Sequence, residues 1–410
     1  MNKIIELCPK FVDLTNTGHL ELIKKIVDRI IANYDLNDIV VKEKELISRN
    51  DPSLIFVLLA LKLAKSKLAL AGLKGPVFIS VVFAVYKEHN RIKKKSEHPH
   101  GEDFLRRKVL QLEWLFENKG NIQWEMIVVD DGCPEGSGVI AQEIIDKNGL
   151  NDRVRVLFLN DAIESKLPIA QNLKTIDDSQ KGGAIIYGLW EATRQKRAEN
   201  QIVVYTDADL STHLGQTGLL LEPLLSHKGS VAIGSRREPE SIVVKEGSRN
   251  DRGKLFIYLW KRLIPNLDEI IDTQCGFKAF DKDTASNVIE DLIETKFAFD
   301  IELLLKSELL KKESIVKVPV AWIDSDLAST TTDLQPYLSM LKSIVKMYRK
   351  YFRSNNTADE FASFIESLDE DSFDQIVKNI PEEILMREPS EFTEYAEVGV
   401  ENLTSGFSLS

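Results

Sequence analysis

Two carboxylates one residue apart, Asp207 and Asp209, close the segment Ile202-Val-Val-Tyr-Thr-Asp-Ala-Asp-Leu-Ser211. The apolar run before them reads as a buried strand. In an extended chain, positions i and i+2 point the same way. Both carboxylates therefore face one spot at the strand's end, with the small Ala208 between them. Open α/β sheets bind their ligands at that end of the strands. A pair of hard oxygen ligands suits Mg2+ or Mn2+, above all an ion shared with substrate phosphates. The alternative is an Asp pair capping the amides of a turn. Ser211 and His213 are the further candidates to complete the ligand set, although a lone His after a turn is more often a capping or surface residue.

Other groups stand at the ends of neighbouring apolar runs. The run from Val77 opens into the turn Ala84-Val-Tyr86-Lys-Glu88, and the run from Glu125 ends in Asp130 and Asp131. A carboxylate on such a rim accepts from a base N–H or a ribose hydroxyl, or else caps the next turn. Lys181-Gly182-Gly183 opens a helical pattern, where glycines let backbone N–H groups approach a diphosphate and the lysine adds charge. Arg236 follows Gly234-Ser235 at the end of another apolar run, placed to clamp a phosphate. Arg249 and Arg252 follow it in a charged loop. Gln274, Phe277 and Lys278 form a polar cluster beside an aromatic, and Asp300 reads as the N-cap of an amphipathic helix.

These residues need a scaffold, and the periodicity supplies one. Strands are predicted at 77–85, 125–129, 153–159, 202–206, 230–234 and 315–321, alternating with helical patterns as far as about residue 352. That alternation predicts a mostly parallel α/β sheet flanked by helices. Residues 1–75 show helical spacing alone and are expected to form an accessory region. The body is expected over 76–354, and 355–410 as an acidic tail with short helices near 359–368 and 371–380. The 410-residue chain carries a net charge of −11. Fourteen acidic and two basic side chains fall in 355–410, so the rest holds 51 basic against 50 acidic residues. The acidic balance thus belongs to the tail and leaves the body open to an anionic substrate. Few aromatics in the tail predict that it lacks a packed core. Cys8, Cys133 and Cys275 fit no zinc or disulfide spacing, and the opening residues do not read as a signal peptide, so a reducing cytoplasm is expected. The runs Leu54–Leu61 and Pro76–Tyr86 are too short to span a bilayer. Peripheral membrane association remains open, and no nucleic-acid partner is expected.

Six segments in order resemble the family 2 glycosyltransferases of the GT-A fold, in particular the dolichyl-phosphate mannosyl- and glucosyltransferase branch. They are the strands ending at Tyr86 and at Asp130-Asp131, the Thr206-Asp-Ala-Asp element, Lys181-Gly-Gly-Ala-Ile-Ile-Tyr-Gly, Gly234-Ser-Arg236, and Asp272-Thr-Gln-Cys-Gly-Phe-Lys-Ala-Phe280. Phe297-Ala-Phe-Asp-Ile-Glu-Leu303 adds a further match. The resemblance implies a Rossmann-like GT-A domain and metal-dependent, inverting transfer of a hexose from a UDP- or GDP-sugar. It implies a phosphate or hydroxyl acceptor, a polyprenyl phosphate or a soluble one. Asp207 and Asp209 would be the metal ligands. Ala84, Tyr86, Glu88, Asp130, Asp131, Lys181, Gly182, Asp207, Ala208, Arg252, Gln274 and Lys278 would bind substrate, with Arg236, Asp300 and Glu302 catalytic. Leu210-Ser211-Thr212-His213 departs from the branch's usual Leu-Gln, and Arg91–Lys108 is a longer, more basic connection than usual. A sugar-phosphate nucleotidyltransferase and a non-catalytic nucleotide-sugar-binding scaffold are the alternatives.

Overall fold

The computed structural model describes residues 1–244, 250–324, 336–393 and 398–404. By its internal contacts the chain divides into two units: Met1–Lys245, Cys275–Glu290 and Glu313–Thr330 form one, and Glu246–Gln274, Asp291–Lys312 and Thr331–Ser410 the other.

Among its described residues the first unit has nine strands: β1 (Val77–Val85), β2 (Ile122–Asp130), β3 (Val154–Phe158), β4 (Asn200–Thr206), β5 (Val231–Ser235), β6 (Ile242–Val244), β7 (Phe277–Asp281), β8 (Ile315–Pro319) and β9 (Ala321–Ile323). Seven form one sheet in the order β3-β2-β1-β4-β7-β5-β8, and β6 pairs with β9. All pairings are parallel except those of β7, which runs antiparallel between β4 and β5. β1, β2 and β4 are buried along almost their whole length, as continuous Val/Ile-rich runs require when both faces are covered. The register sets Val85 beside Asp130 and Val82 beside Tyr205, so the carboxyl ends of β2, β1 and β4 meet on one rim. The mostly parallel sheet flanked by helices agrees with the expected fold class. Strands β6, β7 and β9 are additional to it.

The N-terminal helices belong to this unit. Helix Ile55–Ala69 is apolar on every side and almost wholly buried, among helices Thr17–Asn33, Leu36–Ser48 and Thr217–Leu225. Its one deeply buried charge, Lys62, pairs with Glu43 at 2.9 Å, both fully buried. A Cβ on Gly218 would fall 2.4 Å from the Ser66 carbonyl oxygen, so the close approach of two helices there needs glycine.

The second unit is helical. Helix Asn250–Leu263 packs with Tyr337–Tyr351, Asn356–Ser367 and Glu382–Leu385. The expectation that the acidic tail lacks a packed core fails here. Phe361, Phe364, Ile365, Phe373, Ile376 and Phe392 are buried. Its aromatics are few, but helical spacing puts them on one face and the acids on the other. Tyr258 donates to the Val398 carbonyl at 2.6 Å, Lys254 to that of Leu385 at 2.8 Å, and Arg262 to that of Phe392.

Candidate functional site

Asp207 leaves the end of β4 with its backbone N–H donating to the Gly276 carbonyl at 3.0 Å. A Cβ on Gly276 would lie 2.3 Å from both Asp207 carboxylate oxygens, so the turn into β7 can sit there only as glycine. Lys181 Nζ forms an ion pair with Asp207 Oδ1. Burial pushes the Asp207 pKa up, but the charges of Lys181, Lys278 and Arg236 outweigh it and hold the carboxyl below its ordinary range. Asp209, two residues on and half-buried, accepts from the Ser211 N–H at 3.0 Å. Ala208 between them is buried. The three cations come from three elements. Arg236 follows β5, with its guanidinium 5.3 Å from the Trp322 ring centroid. Lys278 lies on β7 beside Tyr205.

Lys181 stands before helix Gly182–Thr193 with φ of 73°, a conformation that L-residues seldom adopt. Asp131 imposes it, accepting from the Lys181 N–H at 2.7 Å and from Ser179 Oγ at 2.5 Å. Burial raises the Asp131 pKa to about 6 against those two hydrogen bonds. Asp130 accepts from the N–H groups of Cys133 and Gly138, at 2.8 and 2.6 Å. It thereby caps the turn into helix Ser137–Asn148. Each oxygen of both carboxylates thus accepts one hydrogen bond within the chain and keeps further acceptor capacity.

The Tyr86–Asn90 turn is pinned in the same way. The Lys87 N–H donates to Cys133 Sγ at 3.1 Å and the Glu88 N–H to Ser137 Oγ at 2.9 Å. Tyr86 is exposed on the rim and Ala84 is half-buried behind it. Glu88 is engaged within the chain. It is buried, and both its oxygens lie 3.2 Å from Arg91, which also holds Glu102 at 3.0 Å. Burial, opposed by Arg91 and reinforced by Asp209 and Glu102, lifts the Glu88 pKa to about 7.

Three further residues are engaged within the fold. His213 is buried, takes the Gly215 N–H on Nδ1 at 2.9 Å, and has its pKa pushed down by burial to about 3. It caps a turn, as a lone His after a turn more often does. Ser211 lends its carbonyl to the Ile323 N–H. Lys278 is fully buried with Nζ on the Cys275 carbonyl at 2.7 Å, so it acts on the site through its charge and makes no surface contact. Among the described residues no group of three His, Cys, Asp or Glu side chains could hold an ion. A cleft of about 310 Å³ lined by Arg155, Glu191, Arg194 and Arg197 contains none of the site residues.

Arg252, Gln274, Asp300 and Glu302 lie in the second unit. Arg252 is exposed, Gln274 half-buried and Asp300 buried. The N-cap of helix Phe299–Leu310 is Ala298, not Asp300. Glu302 is engaged within the chain. Fully buried, it accepts from the N–H groups of Ile293 and Glu294 at 3.0 and 2.8 Å and from the Tyr351 hydroxyl at 2.6 Å. Arg249 lies outside the described residues.

The chain was also compared with known proteins. No family model matches it. It is 29% identical over 282 residues to the dolichyl-phosphate beta-glucosyltransferase of Drosophila melanogaster, covering 67% of this chain and 75% of that protein. It is 29% identical over 237 residues to the enzyme of the same name from Homo sapiens, covering 56% of this chain and 64% of the human protein. Among solved structures, glucosyl-3-phosphoglycerate synthase from Mycobacterium tuberculosis, in complex with Mn2+, UDP-glucose and phosphoglyceric acid, superposes loosely. That match has a TM-score of 0.47 at 18% identity, over 72% of this chain and 86% of that one. No described helix is long and apolar enough to cross a membrane.

Proposed function

We propose that this chain, a glycosyltransferase of the GT-A fold and a relative of the dolichyl-phosphate glucosyltransferases, transfers glucose from a nucleotide-diphospho-sugar to a phosphate-bearing acceptor. The observation that carries this reading is the pair Asp207 and Asp209 at the end of β4, with Lys181, Arg236 and Lys278 acting on Asp207. Carboxylates and cations around one point suit a diphosphate with its counter-ion.

The two carboxylates fit Mg2+ or Mn2+. An ion of this kind commonly fills its remaining positions with phosphate oxygens and water. An ion bound there neutralises charge on the departing diphosphate as a Lewis acid. Lys181 exchanges its Asp207 partner for a phosphate oxygen, at the N-terminus of a helix whose first amides, Gly182 and Gly183, face the same way. Arg236, steadied on Trp322, takes another phosphate oxygen. Tyr86 on the rim offers its ring to the nucleoside. In the reaction an acceptor oxygen attacks the anomeric carbon opposite the diphosphate. The bond from that carbon to the diphosphate oxygen breaks, and the nucleoside diphosphate leaves with the electron pair. Where the acceptor phosphate itself attacks, it is already ionised near neutral pH and needs no general base; an acceptor hydroxyl would have to pass its proton to one. The complete engagement of Glu302 is compatible with the first case.

Nucleoside diphosphate release is the test. The protein is incubated with Mn2+, UDP-glucose or GDP-mannose, and either dolichyl phosphate in detergent or soluble phosphoglycerate. UDP release from UDP-glucose that needs a phosphorylated acceptor and stops in EDTA is expected. Release of pyrophosphate would point to nucleotidyl transfer, and nucleotide binding without turnover to a scaffold.

A further inference from the structure

We infer that Lys108 is a positioning residue whose buried ammonium balances Asp207 and Asp209, so that a divalent cation enters together with a nucleotide diphosphate and not before it. This rests on the reading of the two aspartates as ion ligands. Lys108 lies in helix Phe104–Phe116, within the basic stretch that the sequence presents as a solvated connection. The residue is fully buried, and its Nζ has no hydrogen-bond partner among the described residues. The ring of Phe83 lies 5.7 Å away. An ammonium taken out of water is costly unless charge of the other sign compensates it. Lys62 shows the ordinary solution in this same unit, a direct pair with Glu43.

Lys108 is compensated from a distance. Its helix is fastened to the segment that follows the aspartates: Gln111 Oε1 accepts from the Leu214 N–H at 2.8 Å, and Trp114 packs edge-on against His213. Lys108 precedes Gln111 by three residues and shares its face. The helix thus packs on the segment Leu214–Gln216, which follows the carboxylates. Burial pulls its pKa down to about 8, while Asp209 and Asp207 support the charged form, so it stays cationic at neutral pH. Lys181, Arg236 and Lys278 already act on Asp207, and Glu88, Glu102 and Arg91 belong to the same charge set, so four carboxylates answer to five cations. A dication approaching alone meets a site with no negative charge to spare. A nucleotide diphosphate brings what is missing.

Mn2+ binding to the full chain, followed by the EPR signal of the free ion and corrected for Mn2+ held by UDP itself, tests this. Wild type should bind Mn2+ about tenfold more tightly, or better, when UDP is present. Lys108→Met should tighten Mn2+ binding without UDP by a similar factor, and Lys108→Arg should leave it as in wild type. A gain in affinity is a readout that mere loss of packing would not give. Lys108→Gln serves the same purpose if the Met variant does not fold. Equal Mn2+ affinity with and without UDP in wild type overturns the inference, as does unchanged or weaker UDP-free binding in the neutral variants. If Asp209→Asn binds Mn2+ with UDP as well as wild type does, the reading of the aspartates has failed instead.

Discussion

At the scale of single residues, the site divides into carboxylates offered outward and carboxylates spent on the chain itself. In the proposed mechanism Asp207 and Asp209 are of the first kind, although Asp207 pairs with Lys181 and Asp209 accepts from the Ser211 N–H. Asp209→Asn keeps the size and the acceptor for Ser211 while removing the charge, so metal-dependent turnover should fall ~10³-fold or more with the thermal midpoint nearly unchanged. Full activity of that variant in excess EDTA would remove the aspartates from the mechanism. Gly276→Ala is a sharper probe. Its methyl would enter the space of the Asp207 carboxylate, so activity should collapse although residue 276 is not expected to touch substrate. Near-normal kcat in that variant would show that Asp207 can move aside without consequence. The pair itself was legible at the end of an apolar run, although Asp207 and Asp209 lie in a bend beyond β4 and not in the extended chain that i, i+2 spacing suggested. The local partners of Asp130, Asp131 and Glu302 escaped the sequence for a shared reason. Each sits beside backbone amides that no helix or strand satisfies, and a carboxylate meets such donors before any ligand does. The Glu88–Arg91–Glu102 cluster and Lys108 were hidden in a charge-rich stretch, because composition does not distinguish a solvated charge from one a fold encloses.

At the scale of elements, the parallel strands were visible as apolar runs, whereas β7 was not. Phe277-Lys-Ala-Phe-Asp is short, carries a buried lysine, and follows a glycine turn, so it reads as loop. Its antiparallel pairing with Tyr205 is what brings Lys278 beneath the site. The turn after the aspartates offers a test with a pH signature. The folded state holds His213 neutral, with a pKa near 3 against an ordinary 6.5. The folded protein therefore binds fewer protons than the unfolded one between those values. This residue's contribution to stability is whole above pH 6.5 and is lost as pH falls toward 3. His213→Asn keeps a side-chain acceptor for the Gly215 N–H and does not titrate. Its thermal midpoint should lie below wild type at pH 7.5 and close on it by about pH 4.5, where the wild-type histidine pays its protonation cost. Parallel midpoint curves for the two proteins would contradict that linkage.

At the scale of the whole molecule, the tail is a structural part of the second unit. Phe361→Ala should cost roughly 3–5 kcal/mol, as other buried aromatic truncations do, measured by denaturant unfolding. Removal of 355–410 should expose the apolar face of helix Asn250–Leu263 and yield an aggregating protein. A soluble truncated chain with an unaltered unfolding midpoint would restore the view of the tail as an appendage. The order of the large sheet also bears on how the polypeptide is born. β5 is synthesised before β7, yet β7 separates it from β4, so β5 has no place in the sheet until residues 277–281 arrive. β8 can close the edge only about thirty residues later still. On the ribosome, β1 to β4 can assemble while β4 presents an unpaired edge and β5 waits as an apolar segment with nothing to pair. Pulse-labelled amides should become protected in β1, β2 and β4 first and in β5 and β8 together afterwards. The interval between the two is when this chain depends most on being kept from its neighbours.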